Sequence, residues 1–403
     1  MKIAFFVSAF PSLSETFIAN QVIALQDTGH TIHIFSQQRP TDNKVHQMVI
    51  NAGLLRNTFY LSDIPQSRIE KIKTLLYRLV RNLSVKNFRK VYYGTLKNKS
   101  KLSVYELIHY LDKPDYAVLH AHFGINGNYV TELLKLGLYK KAKFITTFHG
   151  YDLDQKLREN HFYSALFSRC NLFTVNTNHS KSLLVGLGCE ENKIKVLPVG
   201  LDTGTFRKTE RKNPSKELQL LFVGRLIKLK GALLFLQICK ILKEKNPFKF
   251  KATVIGEGEM QTTLKEFILM TELNDVVTLV GAKTQLEVMH YMNDSDIFVL
   301  PGIEVNGLSE AQGLVIQESQ GMKLPVLISD AGGMAEGMID GITGFVLPQN
   351  DLQGFADKIE LLANDFELRT KMGETGRRLV EGKYDMKVLN QKLIELYQSK
   401  FIE

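Results

Sequence analysis

Short apolar runs alternate with stretches of helical spacing along most of the chain. In the first half, Ile3–Val7, Thr31–Phe35, Ala117–His120, Phe144–Thr147, Leu172–Asn176 and Lys195–Val199 read as strands. In the second half, Leu218–Val223, Lys251–Ile255, Val276–Val280, Ile297–Leu300, Val326–Ser329 and Gly344–Leu347 do. Runs this short and this apolar suit strands covered on both faces. Between them, Phe17–Leu25, Ala232–Lys243, Leu286–Met292 and Leu314–Gly321 space their apolar residues as a helix packed by one face does. Strands alternating with helices predict parallel sheets. The polar, charged stretch Arg207–Lys216, with Pro214, divides two such series and reads as a linker. The pattern therefore predicts an α/β chain of two doubly wound, Rossmann-like domains, 1–206 and 207–385, facing an interdomain cleft. The tail 386–403 has helical spacing and can pack on either domain.

Composition changes this picture little. With 403 residues, 44% apolar and 23% charged, the chain is neither collagenous, coiled-coil nor wholly disordered. Its three cysteines, Cys170, Cys189 and Cys239, show no metal spacing and cannot build a disulfide framework, which fits a reducing compartment. No uncharged apolar run approaches the roughly 18 residues of a membrane span. The apolar opening Ile3–Phe10 runs into Pro11 with no small-residue cleavage site, so it reads as a buried strand rather than a leader.

Charge adds one feature. The net charge is +9, yet Arg68–Lys101 alone holds eleven basic residues and one acid, Glu70. Ile69, Ile72, Leu76, Leu79 and Leu83 recur there at helical steps. A basic amphipathic helix of this kind can lie on an anionic membrane; the alternative is a helix on its own domain with a solvated lysine face. No nucleic-acid motif is present and Trp is absent, so nucleic acid is not an expected partner.

In an open parallel sheet, ligands bind beyond the carboxyl ends of the strands, so the residues just after strands carry the candidate chemistry. After Leu218–Val223 come Gly224-Arg225, then Lys230-Gly231 and a helix. Two cations at a strand end and a helix start suit a diphosphate, unless they are only surface charge on a loop. This is no Walker loop, since G-x-x-x-x-G-K-[ST] is missing. After Ile297–Leu300 come Pro301-Gly302, a polar loop, and Glu310 to Glu318. Gly313 is expected to start the helix, with its N–H and that of Leu314 aimed at the ligand. Glu318, farther in, can accept two hydroxyl donors of a ribose. A hydrolase pair of Glu310 and Glu318 is disfavoured: if both were helical they would stand about 12 Å apart, beyond the usual ~5–9.5 Å.

His149 follows Phe144–Thr147 and can hydrogen-bond a sugar or stabilise charge. His120-Ala121-His122 ends another strand; with no third or fourth ligand evident, hydrogen bonding is a better reading than metal. The patterns Asp152-Leu153-Asp154 and Asp294-Ser295-Asp296 can hold a divalent cation, but capping and turn roles explain the second better. The loops Gly256-Glu257-Gly258 and Gly332-Gly333 are weak signals alone.

Together these pieces resemble the retaining, nucleotide-sugar-dependent glycosyltransferases of the GT-B fold, family 4. The resemblance rests on Gly224-Arg225 with Lys230-Gly231, Gly256-Glu257-Gly258, Asp296–Pro301, the E-x7-E element at Glu310 and Glu318, and Gly332-Gly333 with Glu336. Phe10–Phe17 and His120–Gly124 look like its bacterial colanic-acid and exopolysaccharide branch. The resemblance implies transfer of a hexose from a nucleotide diphosphate sugar to a glycan or lipid-linked glycan acceptor, in the cytoplasm at the inner membrane face. By the same resemblance Gly224, Arg225, Lys230, Gly256, Glu310, Gly313, Leu314 and Glu318 would bind the donor. His149, Glu310, Arg225 and Lys230 would act in catalysis, and Ser14, Glu15 and His122 would meet the acceptor. No metal or other cofactor is implied, and the last helix is expected to cross back to the first domain. The chain departs from many relatives in a first strand–helix loop, Phe10–Glu15, without glycine, and in Val199 where asparagine is common. Rival readings are a nucleotide-sugar epimerase of the same fold and a non-catalytic nucleotide-sugar binder.

Overall fold

The computed structural model describes residues 1–12, 15–40, 45–63, 113–153, 161–210 and 216–399, with isolated positions between 67 and 110. Most of the basic stretch Arg68–Lys101, and Ser14 and Asp154, lie outside the described residues. Two compact units result.

The first unit comprises Met1–Val175, Lys181–Leu197 and Asn390–Glu403. Its sheet has seven strands: β1 (Lys2–Ala9), β2 (Thr31–Gln38), β3 (Thr58–Tyr60), β4 (Val118–His122), β5 (Lys143–Phe148), β6 (Leu172–Val175) and β7 (Ile194–Val196). The order is β3-β2-β1-β4-β5-β6-β7, with every pairing parallel. Ile3, Ala4, Phe5, Phe6 and Val7 are all buried, because helices cover both faces of this central strand. The strands expected from apolar runs are present. β3 is an addition, a three-residue edge strand too short to leave a pattern.

The second unit comprises Asn176–Ser180 and Pro198–Leu389. Its strands are β8 (Leu218–Val223), β9 (Phe250–Ile255), β10 (Val277–Gly281), β11 (Ile297–Leu300), β12 (Val326–Ser329) and β13 (Gly344–Leu347). The order is β10-β9-β8-β11-β12-β13, again all parallel. Phe222, Phe235, Phe298, Ile328 and Phe355 fill its core. Leu201 and Phe206 are buried in that same core, which is why Pro198–Phe206 groups with the second unit, ahead of the polar stretch read as the linker. The helix Met386–Gln398 passes from one unit to the other: Leu389 groups with the second, Asn390 onward with the first. Its Tyr397 hydroxyl is hydrogen-bonded to His120 Nδ1 at 2.6 Å.

The strand order reverses between β1 and β4 in the first sheet and between β8 and β11 in the second. At such a switch point neighbouring loops diverge and leave a crevice beyond the carboxyl ends. The residues there are Phe10–Ser12 and His122–Gly124 in one unit, and Gly224–Arg225 and Pro301–Gly302 in the other.

Candidate active site

In the second unit, β8 delivers Gly224, whose N–H bonds to Ile255 O at 3.0 Å, and then Arg225. Gly256 adopts φ +144°, and a Cβ there would strike Gly224 O. The glycine after β9 thus lets two backbones touch beneath the loop that carries Arg225. Lys230 ends a one-turn 3-10 segment, and Gly231, at φ +75°, opens the helix Ala232–Lys245. Lys230 Nζ forms an ion pair with Glu310 Oε2; the two side chains are 15% and 18% exposed.

Glu310 lies before its helix rather than in it. The helix runs Leu314–Gly321, capped by Gly313 at φ +71°, so the helical spacing used to separate the two glutamates does not apply. Burial pushes the Glu310 carboxyl up, but Lys230, the Gly313 N–H and Arg225 together outweigh it and hold it below the usual carboxylate range. Its backbone is fixed by the loop after β12, where Gly333 N–H donates to Glu310 O at 2.8 Å. Gln312 adds a second fixture. Its amide exchanges two hydrogen bonds with the backbone of Val199, at 2.9 and 2.8 Å. Nothing in the sequence pattern marked Gln312. Glu318 sits half-buried on the helix, its carboxyl pushed up to about 7 by burial. Arg225, Lys230, Glu310 and Gly313 are therefore brought together, with Glu318 a little more than one turn along the helix.

In the first unit, β4 and β5 are neighbours, so His122 and His149 emerge side by side. His122 Nδ1 lies 3.0 Å from His149 Nε2. His122 is 1% exposed, so it reaches a ligand only through His149. His120 is buried as well, its Nε2 2.7 Å from Thr147 Oγ1. Asp152, half of the first aspartate pattern, binds backbone rather than a metal pattern's partner. Its carboxylate accepts from the backbone N–H groups of Gly124 at 2.9 Å, and of His149 and Gly150 at 3.0 Å each. Asp152 therefore shapes the His149 turn. Burial pushes its carboxyl up to about 6, while these backbone donors pull the other way. Glu15 is half-buried ahead of the helix Thr16–Asp27, its carboxyl raised by burial. Asp296, in the second aspartate pattern, accepts from Gln219 N–H at 2.8 Å and so serves the start of β8. No group of three or more potential metal ligands gathers among the described residues.

Two adjoining family models match the chain, Glycosyltransferase Family 4 over residues 14–205 and Glycosyl transferases group 1 over 205–379. Full-length relatives include the putative colanic acid biosynthesis glycosyltransferase WcaL of Salmonella typhimurium, 29% identical over 99% of this chain and 100% of that one. The amylovoran biosynthesis glycosyltransferase AmsK of Erwinia amylovora is 28% identical over 99% of each. Among solved structures, Anabaena HepE in complex with UDP aligns over 99% of this chain and 100% of its own, with a TM-score of 0.75 at 15% identity. A glycosyltransferase from Rickettsia africae aligns over 98% of each, with a TM-score of 0.72 at 20% identity. With adjoining models spanning 14–379, full-length relatives and two Rossmann-like sheets, the chain belongs to the GT-B glycosyltransferases of family 4.

Proposed function

We propose that this chain transfers a hexose from a nucleoside diphosphate sugar to a lipid-linked polysaccharide precursor, with retention at the anomeric carbon, in exopolysaccharide biosynthesis. The carrying observation is the gathering of Arg225, Lys230, Glu310 and the Gly313 N–H beyond β8 and β11. Two cations and a helix start neutralise the charge that develops on a departing diphosphate, so this chemistry needs no metal. Glu318 takes the ribose hydroxyls. Glu310 and the backbone of Gly313 and Leu314 meet the donor sugar, and Gly224 and Gly256 let the backbone come close. His149 is assigned to the reacting sugar and Ser14 and Glu15 to the acceptor, with His122 acting through His149. The names of WcaL and AmsK and the UDP complex of HepE support the reading.

Glu318 provides the test. An ionised carboxylate accepts two hydroxyl hydrogens; a protonated one must spend an oxygen as donor. With its carboxyl near 7, donor affinity should be highest above pH 7 and fall as pH drops through about 7. Sugar nucleotides suit the assay because their diphosphate diester does not titrate there. Calorimetric titration of UDP- and GDP-sugars from pH 5.5 to 8.5 should show this slope in the wild type. Glu318→Gln should bind about 10–100-fold more weakly with a flat profile, the loss of a charge-assisted bond. Wild-type affinity and slope in the variant would remove Glu318 from the ribose.

The basic stretch Arg68–Lys101 is proposed to hold the enzyme on anionic membrane. Among the described residues no helix is long and apolar enough to cross one. Each basic residue near such a surface contributes about 1 kcal/mol. The chain should therefore sediment with anionic liposomes at low salt and not with neutral ones. Changing Lys71, Lys73, Arg78 and Arg81 to Gln should release it; a wild type that stays in the supernatant contradicts the membrane role.

A further inference from the structure

His122 and His149 are joined Nδ1 to Nε2 at 3.0 Å, with ring planes 10° apart. Phe5 stacks on His122 at 5.2 Å, and Phe17 and Phe123 flank His149 at 4.8 and 4.7 Å. The outer nitrogens, His122 Nε2 and His149 Nδ1, are buried and have no hydrogen-bond partner among the described residues. Burial holds both imidazoles below their ordinary range, His149 at about 3, so neither is charged at neutral pH.

A hydrogen bond between two neutral imidazoles holds one proton, and its position forces the tautomers to match. If His122 donates from Nδ1, His149 carries its own proton on Nδ1. If His149 donates from Nε2, both rings are protonated at Nε2. A mixed pair would set two lone pairs or two N–H groups against each other at 3.0 Å. The Nε2–H form is the intrinsically preferred tautomer of a histidine side chain, so the matched Nε2 state is favoured at both rings. It leaves His122 Nε2–H a buried donor and His149 Nδ1 a buried acceptor with no partner among the described residues, and the acceptor costs free energy until a donor meets it. His120 stands outside this pair: it packs on His122 at 4.4 Å, but its own nitrogens are taken by Tyr397 and Thr147.

We propose that His122 is a positioning residue that fixes the tautomer and ring orientation of His149, so that His149 Nδ1 accepts a hydrogen bond from a hydroxyl of the sugar. This rests on the reading that places His149 at the reacting sugar. His122 itself touches no substrate. A sugar hydroxyl would satisfy the acceptor that has no partner among the described residues.

The test is nitrogen-15 NMR of the full chain labelled at histidine, without ligand, at pH 7. His149 is assigned by its loss in His149→Ala, and His122 by its loss in His122→Asn. Both rings should be neutral and protonated at Nε2. In His122→Leu, His149 should lose that single state. In His122→Asn the side-chain oxygen can accept from His149 Nε2–H, and the state should return. With the sugar nucleotide selected by titration, His122→Leu should lower kcat/KM roughly tenfold while the affinity for the bare nucleoside diphosphate stays unchanged, and His122→Asn should recover most of it. Mismatched tautomers, a pair matched at Nδ1 or a cationic ring in the wild type would overturn the proposal without any variant having to fold. So would an unchanged His149 tautomer in folded His122→Leu. If His149→Ala transfers at the wild-type rate, the sugar contact falls, while the tautomer spectra still judge the pair by themselves.

Discussion

Lys230→Met should weaken nucleoside diphosphate binding by about 10–100-fold and destabilise the second unit as well. The first effect is the loss of one charge-assisted bond to the diphosphate, about 1.5–3 kcal/mol. The second comes from Glu310. Its partner is gone, and both side chains are mostly buried, at 15% and 18% exposure. Removing one member of such a pair costs up to about 3–5 kcal/mol, less where the stranded carboxyl can protonate. The pH dependence changes sign with it. In the wild type the Glu310 carboxyl is held low, so its contribution to stability is present above the ordinary carboxylate value and lost as pH falls through the lowered one. In the variant, burial acts unopposed by Lys230 and raises the carboxyl, so stability falls as pH rises. Urea denaturation at pH 5 and pH 8, beside titration of UDP and GDP, reads both effects. The double variant Lys230→Met with Glu310→Gln should regain stability but not affinity. Wild-type affinity in Lys230→Met would take this lysine out of the diphosphate site.

Gly231→Ala should cost more than 3 kcal/mol, a large part of the ~5–15 kcal/mol that holds a domain together. Gly231 stands at φ +75°, and an added Cβ would run into the Pro301 carbonyl oxygen. The left-handed conformation alone costs an L-residue about 1–2 kcal/mol. The contact is with backbone at the end of β11, so the chain must shift rather than a side chain turn aside. That shift moves Lys230 away from Glu310. Gly341→Ala isolates the two terms: it has φ +68° but nothing within 4 Å of the new Cβ, and should lose only about 1–2 kcal/mol. Equal denaturation midpoints for the two variants would refute the backbone clash.

The same glycines show what the chain made legible. Apolar runs such as Ile297–Leu300 are buried on both faces and could be read as strands, because burial on both sides leaves no polar alternation to confuse the period. Gly313 and Gly231 marked helix starts because their backbone needs a positive φ that other residues resist. Other features needed tertiary contacts. Glu310 was placed in a helix only hypothetically, and the helix begins at Leu314 because Gly313 turns the chain there. Asp152 looked like half of a metal pattern; its three partners are backbone N–H groups from two separate segments, and no side-chain spacing encodes that. The assignment of Pro198–Phe206 to the second unit depends on where Leu201 and Phe206 are buried, which a polar stretch downstream of them does not reveal.

The most direct test of the central claim is the anomeric configuration of the new linkage. The full chain is mixed, in EDTA, with the sugar nucleotide that titration selects and with a lipid extract of the source cells as acceptor. Proton NMR then reads the coupling constant at the transferred sugar's anomeric carbon. One nucleoside diphosphate should be released per linkage formed, the product should keep the donor's own configuration, and no rescue by Mg²⁺ should be needed. An inverted linkage, donor consumed with no linkage made, or activity that appears only when Mg²⁺ is restored would contradict the claim.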